Sequence, residues 1–200
     1  MCNLYRMSAS AGEVAKLFGV SEPNGLNAGS EIYPGYPGLV VAEGELRQMV
    51  WGFPLSMKGK QGQPLKPKPV NNTRTDKLSS PFWKASFVNR RCLIPVTRFA
   101  EAEGPKGGKT RTWFSIPAEE IFCAAGIWRD SAEWGASYSM IMTDANETMS
   151  SFHNRMPVLL KKEDQEVWSS ADPDAAFELC RPFEGDLVVD RTDDPWIRRS

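Results

Sequence analysis

The chain lacks any long hydrophobic run. No stretch approaches the roughly 20 consecutive apolar residues that a membrane-spanning helix needs, and the N-terminus has no basic region followed by an apolar segment. These absences argue against insertion into a membrane and against this route of export, so we expect a cytoplasmic protein without a membrane partner. With 41% hydrophobic residues in 200 positions, the chain can build one well-filled core. We therefore expect a single domain over residues 1–200.

Cysteine and histidine are scarce as well. Cys2, Cys92, Cys123 and Cys180 lie far apart without any C-x-x-C pair, and His153 is the sole imidazole. This distribution makes a zinc site or a disulfide framework implausible, so we expect no metal and no cofactor. The three cysteines after Cys2 are expected to be buried small hydrophobes.

Net charge is small, −1 at pH 7, but charge is segregated along the sequence. Residues 58–91 contain a single acid, Asp76, among many lysines and arginines. Residues 163–194 are the reverse, with Arg181 and Arg191 as the sole basic residues. Such asymmetry is typical of one face that meets a polyanion, although a solvated lysine-rich loop produces the same pattern.

Local patterns predict short helices towards both ends of the chain. The stretch SAGEVAKLF carries a capping box formed by Ser10 and Glu13, followed by apolar residues at helical spacing. Near the other end, KKEDQEVWSS and DPDAAFELC indicate two more helices. The second of these has Asp172 as N-cap and Pro173 at its first helical position.

The region between these helices predicts β-structure. ELRQMVWGF indicates a strand, whereas residues 21–38 and PLSMKGKQGQPLKPKPVNNTRT are rich in proline and glycine or basic residues and indicate loops. A long ordered loop of this kind is usually functional. The predicted fold class is α+β, with a strongly curved or barrel-like antiparallel β core and flanking short helices. The later strands are predicted in RCLIPVTRFAEAE, RTWFSIP, IFCAAGIWRD and SYSMIMTDAN.

Cys2 directly follows the initiator methionine. Methionine aminopeptidase removes Met1 when the next side chain is small, so the mature chain would begin with a cysteine that carries both an α-amine and a thiol. With reference pKa values of about 7.7–8.0 for the amine and about 8.5 for the thiol, a fraction of each is nucleophilic at neutral pH. The alternative is that Cys2 is a small residue at the start of a first strand.

Three other stretches place polar residues within otherwise apolar patterns. They are NNTRTD, with Asn72 and Arg74, RFAEAEG, with Glu101, and SFHNRMPVLL, with His153. Taken singly, each residue has an ordinary structural explanation. Asn72 and Arg74 fit a loop cap and a surface ion pair, Glu101 fits a solvent-facing strand position, and His153 fits a hydrogen-bonded histidine at a strand start.

Taken together, these stretches resemble the SOS-response-associated peptidase (SRAP) family. The shared order is an N-terminal cysteine, then W-G, N-x-R, F-x-E and H-N-R-M-P, and the resemblance runs from Cys2 to Leu160. The W-G and H-N-R-M-P elements are its most specific parts. The chain departs from the family pattern at Asn3, where glycine is usual, at Ala102, where an aromatic residue normally follows the glutamate, and at Asp76, where a longer acid is common.

The resemblance implies a protein that bonds covalently to abasic sites in single-stranded DNA and shields them from strand cleavage. The α-amine of Cys2 would attack the aldehyde of the opened sugar, and its thiol would close a thiazolidine ring. This intramolecular step is favoured by effective molarities of about 10⁵ M or more. The family's peptidase activity would expel residues that precede the cysteine, which here means Met1 alone. We expect a monomer that associates with the nucleoid when bound to DNA.

The resemblance also implies which residues act. Glu101 and His153 would move protons during sugar opening and dehydration, and Arg74 would hold a phosphate through two donors. Trp51 and Phe53 would stack on bases or hold the strand bent, with core packing as the alternative for both. The implied catalytic residues are Cys2, Glu101, His153 and Asn72, and the implied DNA-binding residues are Asn72, Arg74, Trp51, Arg155 and Lys77.

Two other functions compete with this interpretation. One is a peptidase with peptide substrates in which the Cys2 thiol pairs with His153, but no papain-like or caspase-like signature is present and the α-amine would have no use. The other is a non-covalent single-strand binding module that uses residues 58–91 and aromatic side chains. This hypothesis predicts no covalent product and DNA binding that depends fully on the salt concentration.

Overall fold

The computed structural model describes residues 2–21, 25–26 and 29–196. The first half of the chain contains β1 (Tyr5–Arg6), α1 (Ala11–Phe18), β2 (Glu31–Ile32), β3 (Pro37–Ala42), β4 (Glu45–Trp51), β5 (Phe53–Lys58), β6 (Pro64–Val70), β7 (Asn72–Arg74) and α2 (Pro81–Asn89). The second half contains β8 (Arg91–Val96), β9 (Arg98–Glu103), β10 (Thr110–Ser115), β11 (Phe122–Ser131), β12 (Gly135–Asp144), α3 (Glu147–Ser150), β13 (Arg155–Pro157), β14 (Leu159–Leu160), α4 (Gln165–Ser170), α5 (Pro173–Glu178) and β15 (Val188–Pro195). Among the described residues, no helix is long and apolar enough to cross a membrane.

The core is a closed β-barrel. Strands β4, β3, β8, β11 and β12 form a ring in which each strand pairs with the next, and β12 closes it against β4. Closure leaves no exposed edge in the ring. The predicted barrel-like core with short flanking helices is confirmed. The pairing that closes the ring is parallel, as is the pairing of β7 with β12, whereas the sequence pattern predicted antiparallel neighbours.

A second sheet carries the N-terminus. Its strand order is β15-β10-β9-β1-β2, so the segment after Cys2 runs beside β9, where Glu101 lies. The hydroxyl of Tyr5 in β1 hydrogen-bonds to that of Tyr138 in β12, which ties this sheet to the barrel. Gly38 makes room for the pair, because a Cβ at this position would collide with both hydroxyls.

The basic, proline-rich stretch after β4 is an antiparallel hairpin of β5 and β6, so the prediction of a loop there was wrong. Its prolines are compatible with pairing because a two-stranded sheet has two free edges, where a missing N–H breaks no ladder hydrogen bond. Residues 21–38 also contain short strands, β2 and the start of β3, although residues 22–24 and 27–28 lie outside the described part.

The helix predictions at the two ends are confirmed. Ser10 accepts from the backbone of Glu13, the Glu13 side chain accepts from the backbone of Ser10, and α1 begins at the next residue. Asp172 caps α5 through two backbone N–H groups. Helix α2, by contrast, was not predicted, because its residues show no clear apolar face around the buried Trp83 and Phe87.

All four cysteines lie in the described part of the chain, and each is a free thiol. Cys92 and Cys123 are buried in the barrel core as expected, whereas Cys180 is half-buried at its margin.

Candidate functional site

The main chain of Cys2 is held by two neighbouring asparagines. Asn72, the first residue of β7, donates from Nδ2 to the Cys2 carbonyl oxygen at 2.7 Å. Asn71 donates from its own Nδ2 to the same oxygen at 3.2 Å and to Oδ1 of Asn3 at 3.1 Å. Because β7 runs along β12 of the closed barrel, a rigid element fixes the position of Cys2.

Asn71 was not predicted as a functional residue. Its backbone carbonyl accepts from Trp51 Nε1 at 3.0 Å and from the Met140 amide at 2.9 Å, so the residue is anchored on both sides. The doublet of asparagines in NNTRTD was the available signal. The contact with Asn3 also gives a local role to the residue that replaces the usual glycine.

The side-chain oxygen of Asn72 has no hydrogen-bond donor among the residues that the structure describes. Its Oδ1 atom is buried and accepts no hydrogen bond within the described residues. Buried acceptors without a partner are rare in folded proteins, and each one calls for an explanation such as a bound group at a functional site.

The Cys2 thiol is fully buried and donates to the Leu4 carbonyl at 3.4 Å. Burial raises the pKa of the Cys2 thiol to about 12, and the nearby charge of Glu101 adds to the shift. This corrects the expectation from the reference pKa, which predicted a useful thiolate fraction at neutral pH. In the folded protein the sulfur is held as a neutral thiol.

Glu101 lies in the middle of β9, opposite Thr112 of β10, and its side chain is just 6% exposed. The solvent-facing alternative is therefore wrong. Burial raises the pKa of the Glu101 carboxyl above its ordinary range. Glu101 and the Cys2 thiol influence each other electrostatically, so the structure brings these two predicted residues together.

His153 follows α3 in the loop that leads to β13. Its Nδ1 lies 3.0 Å from the Arg155 amide nitrogen and 3.3 Å from the Arg155 carbonyl oxygen, so Nδ1 accepts from the amide in one neutral tautomer and donates to the carbonyl in the other. Burial lowers the pKa of His153 below its ordinary value, so the ring is neutral at pH 7. The neighbouring Phe152 packs edge to face on Phe114 of β10, which holds this loop against the sheet that carries Glu101.

Three predicted DNA-binding cations converge on one carboxylate. Arg74 donates to both oxygens of Asp76 at 2.8 and 2.7 Å, and Lys77 Nζ lies 3.9 Å from the same side chain. The Arg74 hydrogen bonds lower the pKa of Asp76, and the charges of Lys77 and Arg155 add to this effect. Arg155 also pairs with Asp144 at 3.4 Å. We call Arg74, Lys77 and Arg155 the cationic cluster.

Trp51 does not fit its predicted role. Its side chain is fully buried, packs edge to face on Tyr5 with ring centroids 5.0 Å apart, and holds Asn71. A buried ring cannot stack on a base, so stacking by Trp51 is corrected to positioning of the asparagine pair. Gly52 of the W-G element has a φ of 121° and leaves no room for a Cβ against Pro69.

Phe53 is buried as well and packs on Trp83, which agrees with the alternative of core packing. The basic stretch also contributes less to a charged face than its composition indicated. Arg91 donates to the backbone carbonyls of Phe87, Trp168 and Ala171, so its guanidinium serves the fold. Among the described residues, no group of three or more histidine, cysteine or acidic side chains is placed to hold a metal.

Comparison with known proteins shows the family to which the chain belongs. A family model described as SOS response associated peptidase (SRAP) matches residues 1–193. The abasic site processing protein YoqW of Bacillus subtilis is 31% identical over 125 residues, which are 58% of this chain and 55% of that protein. YoaM, an abasic site processing protein of the same species, is 25% identical over 127 residues with the same shares. The chain thus spans about half the length of the curated relatives it matches.

Solved structures share the fold. A protein from Bacteroides thetaiotaomicron has a TM-score of 0.77 and 22% identity, over 96% of this chain and 93% of that one. A protein from Bordetella bronchiseptica has a TM-score of 0.79 and 19% identity, over 96% of this chain and 99% of that one. At these identities the likeness shows the architecture alone.

Proposed function

The chain belongs to the SOS response associated peptidase family, and from that premise we propose that it processes abasic sites in single-stranded DNA by bonding to them through Cys2. Relatives that match more than half of the chain carry the name abasic site processing protein. The observation that carries the proposal is the pair of amides from Asn71 and Asn72 on the Cys2 carbonyl. Two side-chain amides on one carbonyl restrain the main chain that would carry the reacting amine.

The proposed chemistry uses both nucleophiles of an N-terminal cysteine. After removal of Met1, the Cys2 α-amine adds to the C1′ aldehyde of the open sugar to give a carbinolamine, and a proton from His153 lets its hydroxyl leave as water, which gives an iminium. The thiol sulfur then bonds to the iminium carbon, and its proton passes to the Glu101 carboxylate. Aldehyde and cysteine thus become a thiazolidine and one water. The product has no electron sink to promote loss of the 3′ phosphate.

The environment of each group suits its step. Burial keeps the thiol protonated, so its proton must leave as the carbon–sulfur bond forms, and the carboxylate that raises its pKa is the available acceptor. The neutral His153 ring can donate from Nε2 or accept after tautomer change during opening of the sugar. The buried Oδ1 of Asn72 would accept a hydrogen bond from the amine or a sugar hydroxyl.

The same site could expel residues that precede Cys2, in keeping with the peptidase name of the family. In this proposal a water molecule would add to the carbonyl of the residue before Cys2, with Glu101 taking a proton from the water and passing it to the departing amine of Cys2, so that the peptide bond breaks into a carboxylic acid and the free amine. A cysteine peptidase acting on other peptides is less well supported, because reactive thiols of that class have lowered pKa values whereas burial raises that of Cys2.

The cationic cluster would hold the phosphates of the bound strand. Asp76 engages Nε and Nη2 of Arg74, and the side chain remains about half exposed, so the guanidinium is oriented and still accessible. Planar guanidinium groups are well suited to phosphate oxygens.

Replacing Arg74 with alanine should weaken binding to intact and abasic single strands alike. Loss of one phosphate contact should reduce the slope of log Kd against log salt by about one unit, which titrations at several salt concentrations measure. Arg47→Ala is the matched control, because Arg47 of β4 pairs with Glu43 and Glu45 and is not part of the cationic cluster. An unchanged salt slope for Arg74→Ala would place this arginine outside the DNA contact.

Replacing Asn71 with alanine should slow bond formation without weakening DNA binding. The variant loses one of two hydrogen bonds to the Cys2 carbonyl, so we expect a loss of about 10-fold in rate at saturating DNA. Asn3→Gly removes the other acceptor of Asn71 while keeping both amides on Cys2, and it should react at close to the normal rate. Equal losses of rate in the two variants would show that the amide hydrogen bonds to the Cys2 carbonyl do not determine the rate of bond formation.

One assay separates the candidate functions. Protein without an N-terminal tag, with loss of Met1 verified by intact mass, is mixed with uracil-containing single-stranded DNA that uracil glycosylase has treated. A shifted band on a denaturing gel supports covalent processing. A shift on a native gel alone, lost in high salt, would instead indicate a binding module, and peptide cleavage without any DNA product would indicate a peptidase.

A further inference from the structure

A groove lined by aromatic rings begins beside the reactive cysteine. It has a volume of about 870 Å³, and its walls include Asn3, Pro34 and the rings of Tyr33, Tyr36 and Trp196. Asn3 is bonded directly to Cys2 and is tied to Asn71, so the groove opens from the restrained N-terminus. The chemical steps proposed above use none of these three rings.

Two of the rings contact each other, and one of these two is well exposed. Tyr33 and Tyr36 meet edge to face with centroids 6.3 Å apart, and Tyr36 is 63% exposed. The Tyr33 hydroxyl donates to Glu31 at 2.9 Å and accepts from Arg111 at 3.1 Å, which fixes its ring. Trp196 packs on the small cluster of Leu4, Ala100 and Trp113, and its amide donates to the Lys109 carbonyl at 2.8 Å.

The groove is not a repulsive surface for an anion. Its carboxylate, Glu31, pairs with Arg6 at 2.7 Å and with Arg111 at 3.1 Å, so two cations face one anion. A polar extension of about 350 Å³ continues past Glu31 and Ser30 to Arg6 and Ser8. Arg6 is partly exposed there. Asp193 and Asp194 lie on β15, which ends one residue before Trp196, and neither lines the groove.

We propose that this groove binds the nucleotides on one side of the abasic site, with bases stacked on Tyr36 and Trp196 and a phosphate near Arg6. The inference rests on the proposed function, since the occupant is the strand that Cys2 would bond. Continuity with Cys2, the exposed ring of Tyr36 and the partly exposed guanidinium of Arg6 together favour single-stranded nucleic acid, because aromatic stacking beside a cation is how such strands are held without sequence preference. Stacking, which the buried Trp51 cannot provide, is thereby assigned to the exposed Tyr36 and the partly exposed Trp196.

The test measures non-covalent binding of undamaged single strands to five proteins: the mature wild type, Tyr36→Ala, Trp196→Ala, Tyr36→Phe and Phe177→Ala. Loss of one stacked base should weaken binding about 5-fold to 100-fold in Tyr36→Ala. Tyr36→Phe keeps the ring and should bind within about 2-fold of the wild type by the same reasoning. Phe177 is an exposed ring on α5, and its loss should have no effect.

The second arm of the test varies the position of the abasic site within the strand. Abasic strands with nucleotides on the 5′ side alone, or on the 3′ side alone, are compared for rate of cross-linking at limiting protein. Tyr36→Ala should slow the reaction with one of these strands and leave the other unchanged. Wild-type affinity of both Tyr36→Ala and Trp196→Ala for undamaged strands would overturn the groove proposal. Absence of any cross-link with the wild type would refute the covalent function, while the affinities would still decide the groove.

Discussion

Replacing Cys2 with alanine should abolish the product that survives a denaturing gel while leaving non-covalent DNA binding intact. The variant keeps an N-terminal amine, which can form an imine, but it has no thiol to close the ring. The imine hydrolyses on denaturation. We therefore expect the covalent yield to fall below detection, at least about 100-fold, since ring closure draws on the large effective molarity of a group on the same residue.

The same variant should cleave abasic strands faster than the wild type. The uncapped iminium withdraws electrons from C2′, so a proton leaves there and the 3′ phosphate departs. A sequencing gel of end-labelled DNA measures the cleavage. Cys180→Ala is the matched control, because Cys180 is a half-buried thiol in a different part of the fold and its loss should change neither reaction. A stable product from Cys2→Ala without added reductant would exclude a thiazolidine.

Replacing Glu101 with glutamine should slow covalent bond formation by about 10²-fold to 10⁴-fold, the usual contribution of a positioned proton-transfer group. Glutamine fills nearly the same volume but cannot take the thiol proton. Single-turnover rates at saturating DNA isolate this effect from binding. Glu103→Gln is the matched control on the same strand, because Glu103 is engaged by Thr112 and Arg191 near the surface.

The pH dependence follows from the sign of the Glu101 shift. Burial raises the pKa of Glu101, so its carboxylate is lost by protonation at a higher pH than that of an ordinary glutamate, which titrates near about 4.3. The wild-type rate should lose the contribution of Glu101 as pH drops through the raised pKa, in addition to the loss that protonation of the Cys2 α-amine causes in both proteins, and Glu101→Gln should keep the amine limb alone. A raised acid pKa also means that the folded state disfavours the charge above that pKa, so Glu101→Gln should melt at a higher temperature at pH 7. Identical pH profiles of the wild type and Glu101→Gln would assign the proton transfer to another group.

The sequence predicts local elements of this fold well where a short-range interaction decides them. Ser10 and Glu13 form a capping box within four residues, and Asp172 with Pro173 begins α5, so both helices were predictable. Closure of the barrel depends on a parallel pairing of β4 with β12, about 90 residues apart in the chain, which no local pattern encodes. The hairpin of β5 and β6 was missed because its prolines predicted a loop. Both strands have a free edge, where proline is tolerated.

In the candidate site, too, local motifs predict some features, whereas others depend on packing between distant segments. The structure places Cys2 against Asn72, which lies on β7 beside the barrel, and near Glu101, which lies on β9 of the second sheet, and the roles of these residues stay predictions. Burial, however, depends on packing from several strands, so the exposure of Trp51 and the thiol pKa of Cys2 were both predicted wrongly. The resemblance to a family predicts reactive residues, and the structure shows which aromatic rings are exposed.

The most direct measurement is mass mapping of the protein–DNA product formed by two proteins that differ at the N-terminus. One is the mature chain that begins at Cys2, and the other carries an N-terminal extension whose presence intact mass confirms. After digestion with protease and nuclease, we expect the DNA remnant on the peptide that begins with Cys2, with its amine and thiol both consumed. The extended protein should form no such product while still binding single-stranded DNA. A remnant on a lysine of residues 58–91, or equally fast cross-linking by the extended protein, would show that the α-amine of Cys2 is not the nucleophile.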